Sequence, residues 1–208
     1  MLKIVTVTGP SCAGKTTLVR ALLNTGHFTE VVSFTTRDPR AGEREGVDYY
    51  FKSREMVKVL EEKGLIAECT EFKGNFYGIL KHEIETRLQS GKLPLVIVEA
   101  HGLEQIQCMY PEEVYSIYLD ASIELLYERF LERFVEDLLS TTLTEVDTKY
   151  YAKRLSGIQE EASTWLLKCQ RDFYIDHFTE DNKDSIISSL VKVLLKEKSN
   201  RDQGGDAA

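Results

Sequence analysis

The sequence contains Gly9-Pro10-Ser11-Cys12-Ala13-Gly14-Lys15-Thr16, and this stretch matches the phosphate-loop pattern G-x-x-x-x-G-K-[ST] at every fixed position. Glycine lets such a loop curl, so that successive N–H groups converge on phosphate oxygens at the positive end of the following helix. An apolar, β-branched strand is predicted before the loop at Leu2–Val7, and a helix is predicted after it at Thr16–Leu23. This strand–loop–helix context is the one that a nucleoside triphosphate site requires.

The loop residues divide the expected chemistry among them. We expect Lys15 to reach the β- and γ-phosphates and the Thr16 hydroxyl to ligate Mg²⁺. The candidate ATP-binding residues are Gly9, Ser11, Cys12, Ala13, Gly14, Lys15, Thr16 and Thr17. Cys12 is expected mainly to pack. The four cysteines are widely spaced and form no Cys-x-x-Cys pair, which argues against a disulfide framework or a structural zinc site.

Apolar strands and amphipathic helices alternate along the rest of the chain. The predicted strands are Val31–Phe34, Leu93–Glu99, Val114–Leu119 and Phe173–Phe178. The predicted helices are Met56–Lys63, Ile123–Leu139, Tyr150–Gln170 and Asp184–Lys196. This alternation predicts an α/β fold of the P-loop NTPase type, with a mostly parallel sheet flanked by helices on both faces.

Composition limits the classes of partner. The length of 208 residues suits one domain, and 42% hydrophobic with 29% charged residues is ordinary for a globular protein with a real core. The net charge of -8 argues against a general nucleic-acid binder. Apolar runs such as Leu95–Val98 are too short to span a bilayer, and no signal peptide is recognisable, so we expect a cytoplasmic protein without a membrane partner. Monomer and homodimer both remain open.

A second anion site is predicted in the loop from Thr35 to Gly46. Arg37 and Arg40 carry planar forks that grip a phosphate through two hydrogen bonds, and Pro39 stiffens the loop between them. A second anion site that faces a triphosphate site is what a phosphoryl-transfer enzyme needs in order to hold donor and acceptor in line.

The segment Ser33–Phe51 resembles the monophosphate-binding signature of the guanylate kinase family. Further matches occur at Gly74–Gly78 and Lys153–Ser156, and the resemblance covers the chain from about residue 3 to about 195. It implies a single guanylate kinase-like domain with a core at about 1–32, 83–125 and 158–197, a small monophosphate-binding subdomain at about 33–82, and a helical lid at about 126–157. The polar tail from about 198 to 208 is predicted to be disordered.

The resemblance also implies a set of acceptor contacts. The candidate monophosphate-binding residues are Ser33, Arg37, Arg40, Tyr49, Glu68, Tyr77, Ile79 and Glu99. Glu68 and Glu99 match the positions that recognise guanine, whose N1–H and 2-amino group are adjacent donors for a carboxylate. Ile79 stands where the family has a hydroxyl residue, and a missing donor there costs about 1–3 kcal/mol. A different or modified base therefore stays open.

The remaining predictions concern the ligands of Mg²⁺ and the arginines of the lid. Ile97 stands where the family often has an acidic residue, so Mg²⁺ is expected to rest on Thr16, phosphates and water. Arg129 and Arg133 are four residues apart on one helix face, and the resemblance implies that they act with Arg154 on the moving γ-phosphoryl group. The implied catalytic residues are Lys15, Arg37, Arg129, Arg133 and Arg154. The segment 134–153 is longer than expected for the family, and its adenine-contacting asparagine is absent or displaced to Asn182.

The leading hypothesis is a kinase that transfers the γ-phosphoryl group of ATP to GMP or dGMP with Mg²⁺. One alternative is a kinase for another or a modified (deoxy)nucleoside monophosphate, because Ile79 weakens the expected discrimination between bases. A second alternative is a non-catalytic guanylate kinase-like module that binds phosphopeptides, which the intact Gly14-Lys15-Thr16 disfavours. A third alternative is a nucleotide-switch ATPase that needs no acceptor.

Overall fold

The computed structural model describes residues 4–40, 42–72, 74–140 and 148–203. Residues 2 and 3 of the predicted first strand, 141–147 of the predicted lid and 204–208 of the predicted tail lie outside the described residues. The strands are β1 (Ile4–Thr8), β2 (Phe28–Glu30), β3 (Phe34–Thr35), β4 (Tyr50–Phe51), β5 (Ile66–Phe72), β6 (Asn75–Leu80), β7 (Leu93–Ile97), β8 (Val114–Asp120) and β9 (Phe173–Asp176). The helices are α1 (Lys15–Asn24), α2 (Arg54–Glu62), α3 (Lys81–Gln89), α4 (Ala100–Met109), α5 (Ile123–Ser140), α6 (Thr148–Lys168) and α7 (Lys183–Gln203).

The central sheet has five parallel strands within the described residues, in the order β2-β7-β1-β8-β9. Strand β1 lies in the middle and is buried along its whole length, because its side chains meet helices on both faces. Val5 and Val7 pack on one face with Leu18 of α1 and Leu190 of α7. Ile4 packs on the opposite face in a cluster that includes side chains of α3 and α4. The predicted α/β fold is confirmed.

A smaller four-stranded sheet, in the order β4-β3-β6-β5, is formed by residues between 34 and 80. Strands β5 and β6 form an antiparallel pair that ends where Phe72 faces Asn75. Phe34, Val57 and Leu80 fill a separate core beneath this sheet, so α2 packs on it and not on the central sheet. This sheet carries the segment whose arginines and tyrosines were expected to hold a phosphate.

Two expectations about chain course are wrong. Only Phe34 of the predicted strand Val31–Phe34 lies in a strand, because β2 ends at Glu30 and β3 begins at Phe34, and the chain crosses between the two sheets in this interval. The predicted disordered tail begins too early, since α7 continues to Gln203. Residues 197–203 contain neither glycine nor proline, and Lys198 Nζ donates to the Gly91 carbonyl oxygen at 2.6 Å. In the described part of the chain, no helix combines the length and the apolar character needed to cross a membrane.

Candidate active site

The phosphate loop leaves β1 at Gly9 and enters α1 at Lys15. Gly9 has a φ of 152°, and a Cβ at this position would lie 2.0 Å from the Leu119 carbonyl oxygen on β8. Gly14 caps α1 with a φ of 102°, in the left-handed region that favours glycine. Between them, Ala13 is fully buried in the core. The predicted strand–loop–helix arrangement is confirmed, and its two motif glycines are required by the backbone.

The loop lysine is held by the loop itself. Lys15 Nζ donates to the carbonyl oxygens of Gly9 at 2.7 Å and Pro10 at 2.8 Å. Burial lowers the pKa of Lys15 to about 8, and the nearby Glu161 carboxylate opposes this effect. A buried ammonium group is stabilised by an anion beside it, so negative phosphate oxygens near Nζ would raise this pKa again. The loop is therefore prepared to receive a polyanion.

A cleft of about 420 Å³ opens in front of the phosphate loop, and we call it the P-loop cleft. One wall consists of loop residues, including Ser11, Lys15 and Thr16. Helices α5 and α6 supply the opposite wall, which carries the predicted lid arginines Arg129, Arg133 and Arg154. The structure thus brings the loop and the lid arginines together.

The lid arginines have different surroundings. Arg129 Nη1 donates to the Ala13 carbonyl oxygen at 3.1 Å, and its Nη2 donates to the Phe178 carbonyl oxygen at 2.8 Å. Arg129 therefore braces the loop against the chain that follows β9. Arg133, one turn further along α5, is exposed, and Arg154 on α6 is partly buried.

A second cleft, also of about 420 Å³, lies beside the small sheet, and we call it the Glu68 cleft. Five of the predicted acceptor contacts line it, namely Ser33, Tyr49, Glu68, Tyr77 and Glu99. They come from separate parts of the chain: the crossing after β2, the approach to β4, strands β5 and β6, and the end of β7. The structure therefore assembles most of the predicted acceptor site.

The two clefts meet at three residues. Ser11, Lys15 and Arg154 line both the P-loop cleft and the Glu68 cleft. Anionic groups placed in the two clefts would therefore approach each other beside two cations. Holding two reactants at such a junction is the main requirement for in-line phosphoryl transfer.

The predicted phosphate fork lies at the rim of the Glu68 cleft. Arg37 Nη2 is 2.8 Å from Glu43 Oε1, and the Arg37 guanidinium carbon lies 5.6 Å from the centre of the Tyr49 ring. Tyr49 contacts Tyr77 edge-on, with ring centres 6.1 Å apart. The exposed Arg40 donates its backbone N–H to Glu43 Oε2 at 2.8 Å. Neither arginine is among the described lining residues, and Arg37 adjoins the cleft through Tyr49.

Glu68 is a buried carboxylate, with 9% of its surface exposed. Burial raises the pKa of Glu68 to about 7, although a hydrogen bond from Thr70 Oγ1 to its Oε1 at 3.0 Å acts in the opposite direction. A Cβ on Gly102 would lie 2.9 Å from the same oxygen, so this glycine of α4 makes room for the carboxylate. Glu99 is exposed at the N-terminus of α4 and lines the same cleft.

Ile79 was predicted to be one of the monophosphate-binding residues, but the structure buries it away from the Glu68 cleft. It stands opposite Glu68 in the β5–β6 pair, but only 1% of its surface is exposed. Its side chain packs with Ala67, Ile84 and Leu103 in the core and does not belong to the described lining of the Glu68 cleft. An apolar residue is suited to this position because the core side of the sheet covers it.

Sequence reasoning missed Thr70, Glu161 and Trp165. Thr70 lines the Glu68 cleft and is two residues after Glu68, a spacing that places both side chains on one face of a strand. Glu161 and Trp165 follow Arg154 by seven and eleven residues on α6, so the three share a helix face. The two-residue spacing on the strand and the helical spacings of seven and eleven residues are the signals in the sequence that point to these three residues.

Asn182, the displaced candidate for an adenine contact, has both ends of its amide in use. Its Nδ2 donates to the His177 carbonyl oxygen at 2.6 Å, and its Oδ1 accepts the Thr179 N–H at 2.9 Å. Asn182 therefore fixes the turn before α7. Thr179 and Glu180, which this turn carries, line the P-loop cleft.

Comparison with known proteins gives one consistent family. A family model described as guanylate kinase matches residues 1–160 of the chain. Guanylate kinase of Synechocystis sp. (strain ATCC 27184 / PCC 6803 / Kazusa) is 32% identical over 197 residues, which cover 94% of this chain and 95% of that protein. Guanylate kinase of Clostridioides difficile (strain 630) is 36% identical over 196 residues, covering 94% of this chain and 88% of that protein.

A solved structure of the same family also resembles this chain in its fold. The crystal structure of guanylate kinase from Anaplasma phagocytophilum superposes with a TM-score of 0.64 at 27% sequence identity. The superposition covers 94% of this chain and 86% of that chain. The similarity thus extends over both sheets and the lid helices.

Proposed function

This chain belongs to the guanylate kinase family and is an ATP-dependent nucleoside monophosphate kinase, and from that premise we propose that it transfers the γ-phosphoryl group of ATP to GMP. The observation that carries the proposal is the meeting of the P-loop cleft and the Glu68 cleft at Ser11, Lys15 and Arg154. ATP occupies the first cleft and the nucleoside monophosphate occupies the second.

The choice of guanine rests on the polar groups of the Glu68 cleft. The Glu68 carboxylate, when ionised, accepts the adjacent N1–H and 2-amino donors of guanine, and Glu99 lines the same cleft as a second acceptor. The Thr70 hydroxyl donates its single proton to Glu68 Oε1 at 3.0 Å, and Thr70 lines the same cleft. When guanine binds, the Thr70 hydroxyl turns its single proton from Glu68 Oε1 to the 6-oxo group, a role that the buried Ile79 does not supply. AMP is disfavoured because adenine N1 is an acceptor and would face a carboxylate.

The acceptor phosphate is held by the hydroxyl-bearing residues of the cleft. Tyr49, Tyr77 and Ser33 present hydroxyl groups there, and Arg37 supplies positive charge behind Tyr49. The exposed Arg40 side chain adds a second positive charge on the same loop. The same contacts accept dGMP, because all of them lie on the base or the phosphate.

The donor phosphates lie on the phosphate loop, where Lys15 and the free N–H groups at the start of α1 hold them. Arg133 and Arg154 neutralise charge on the γ-phosphoryl group, while Arg129 keeps the loop in shape through the Ala13 carbonyl oxygen. Within the described residues, no group of three or more His, Cys, Asp or Glu side chains is placed to hold a metal ion. Thr16 fits Mg²⁺ as a single protein ligand, because this ion retains water and binds nucleotide phosphates.

A panel of nucleoside monophosphates tests the proposal. The full chain is incubated with ATP, Mg²⁺ and GMP, dGMP, AMP, CMP, UMP or dTMP, and ADP formation is measured. We expect turnover with GMP and dGMP and at least about 100-fold lower kcat/KM with the others, because an unpaired buried polar group is strongly unfavourable. Turnover of a pyrimidine nucleotide with inert GMP and dGMP would contradict the guanine assignment.

Two matched variants separate the site from the rest of the protein. Lys15→Ala should reduce kcat at least about 1000-fold, because it removes the cation at the junction of both clefts. Lys58→Ala removes an exposed lysine on α2 and should leave kcat unchanged. Equal rates for Lys15→Ala and the wild type would remove the phosphate loop from the mechanism.

A further inference from the structure

A carboxylate of α6 reaches the phosphate loop. The backbone N–H of Ser11 donates to Glu161 Oε2 at 2.7 Å, although the two residues are 150 positions apart in the sequence. Ser11 is 5% exposed, and Glu161 is partly buried. A short hydrogen bond from an amide to an ionised oxygen is charge-assisted and stronger than one between neutral groups. The contact is therefore a specific attachment of α6 to the loop.

The carboxylate occupies a backbone N–H of the loop that is expected to bind phosphate. Phosphate loops bind anions through backbone N–H groups, and Ser11, whose N–H donates to Glu161, belongs to this loop and lines the P-loop cleft. Ser11 and Lys15 both line the P-loop cleft and the Glu68 cleft, so Glu161 reaches the junction between donor and acceptor. The Glu161 carboxylate is also the nearby charge that most raises the pKa of Lys15 against the effect of burial.

The attachment also sets the position of an arginine. Arg154 precedes Glu161 by seven residues on α6, which is about two helical turns, so both project from one face. Arg154 lines both clefts. The hydrogen bond from Ser11 to Glu161 thus fixes the part of α6 that carries Arg154 in relation to the loop.

We propose that Glu161 is a positioning residue that holds α6 on the phosphate loop through the Ser11 N–H and is displaced when MgATP binds. The terminal phosphate competes for the Ser11 N–H and repels the carboxylate, which frees α6 to bring Arg154 onto the transferring group. The Glu161 carboxylate therefore weakens ATP binding. Between turnovers it supplies the negative charge near Lys15. This role concerns the donor site and is independent of which base the acceptor carries.

Glu161→Gln tests this role, because glutamine keeps the shape and removes the charge. Binding of MgATP without acceptor is measured by calorimetry, together with the fluorescence of Trp165, the single tryptophan, which lies one turn after Glu161 on α6. We expect Glu161→Gln to lower the Kd for MgATP about fivefold, since a charge-assisted hydrogen bond no longer has to be broken. Glu160→Gln, which removes a neighbouring exposed charge, should stay within about twofold of the wild type.

Thermal unfolding gives a second, independent readout. Glu161→Gln should lower the melting temperature of the free enzyme and leave that of the MgATP-saturated enzyme equal to the wild type, because the contact exists only before ATP binds. An equal decrease with and without MgATP, together with an unchanged or higher Kd, would overturn the proposal and make Glu161 a permanent structural contact. The expected changes in the Kd for MgATP and in the melting temperature do not depend on the acceptor base. They would therefore remain valid if the nucleoside monophosphate panel showed no preference for guanine.

Discussion

The Tyr50 hydroxyl donates to Glu83 Oε2 at 3.0 Å, and this contact joins the small sheet to the first helix that follows it. The other oxygen of Glu83 accepts the Val32 N–H at 3.0 Å and Arg87 Nε at 2.7 Å. Only 2% of the Glu83 surface is exposed. Val32 lies where the chain leaves the central sheet, and Glu83 lies where it returns. One buried carboxylate therefore holds both connections of the acceptor-binding sheet.

Removal of this carboxylate should destabilise the protein. Glu83→Ala leaves the Tyr50, Val32 and Arg87 donors without their acceptor, and we expect the free energy of unfolding to fall by about 3 kcal/mol. Glu85→Ala removes an exposed carboxylate from the same helix and should change it by less than about 0.5 kcal/mol. Urea denaturation at pH 7 measures both values. Equal effects of the two substitutions would show that the three donors at Glu83 carry no special weight.

Acceptor binding should depend on pH through Glu68. Burial raises the pKa of Glu68 to about 7, and guanine needs the ionised carboxylate as its acceptor. The ionised fraction of the free enzyme therefore rises with pH, and the KM for GMP should fall about tenfold between pH 6 and pH 8. Steady-state kinetics at saturating ATP measure this profile. A KM that rises over this interval would contradict the assignment.

Thr70→Val serves as the matched variant for this profile. The Thr70 hydrogen bond lowers the pKa of Glu68, so its loss should move the fall in KM to higher pH. The same variant should also weaken the preference for GMP over 6-thio-GMP, whose sulfur is a poor hydrogen-bond acceptor. Thr70→Ser keeps the hydroxyl and should restore both properties, whereas failure of this rescue would indicate that only the shape of Thr70 matters.

Substitution of Gly102 should weaken binding of the acceptor nucleotide without disrupting the fold. A Cβ at this position would approach Glu68 Oε1 to 2.9 Å, so Gly102→Ala must move the carboxylate. We expect the KM for GMP to rise about tenfold, because displaced hydrogen-bonding groups lose about 1.4 kcal/mol or more. The KM for ATP should not change.

Gly157→Ala is the control for this substitution. Its Cβ on α6 would meet Glu161 Oε1 at 3.8 Å, an ordinary contact. We therefore expect a gain of about 1 kcal/mol in the free energy of unfolding from helix propensity and no change in either KM. A large increase in the KM for GMP in both variants would mean that glycine is needed for reasons other than the space for Glu68.

Two arginines of α5 should respond differently to substitution. Arg129→Ala removes the donors to the Ala13 and Phe178 carbonyl oxygens, so we expect a lower melting temperature and a KM for ATP about tenfold higher. Arg133→Ala removes an exposed side chain that lines the same cleft and should lower kcat at least about tenfold with no change in melting temperature. Kinetics combined with thermal unfolding distinguish the two roles, and identical behaviour would refute the division between them.

Much of the central fold could be predicted because its signals are local. The apolar runs at β1, β7 and β8 are buried on both faces, and the phosphate loop requires a strand before it and a helix after it. Helices α3 and α4 carried weaker signals and were not predicted. The segment of α3 has few apolar residues, and a buried position is occupied by Glu83, whose partners are distant in sequence.

The residues of the candidate site likewise fall into those that local sequence signals predict and those whose contacts join distant parts of the chain. The phosphate loop around Lys15 and the pair Arg37 and Arg40 could be recognised because their chemistry depends on local spacing, whereas Glu68 could be assigned only through the resemblance to the family. The engagement of Arg129 with backbone carbonyl oxygens, the burial of Ile79 and the reach of Glu161 to Ser11 depend on elements that are far apart along the chain. No periodicity within one segment encodes a contact of that kind.

The phosphate loop by itself determined that the chain binds a nucleotide, because glycine backbone geometry and a following helix are sufficient to make an anion site. The tertiary structure alone decided that Lys15 also faces a second cleft, and that an internal carboxylate occupies one N–H group of the loop. The reason is physical. Hydrogen bonding to backbone groups is set by local φ and ψ, whereas the meeting of two clefts is set by the packing of two sheets and a lid helix.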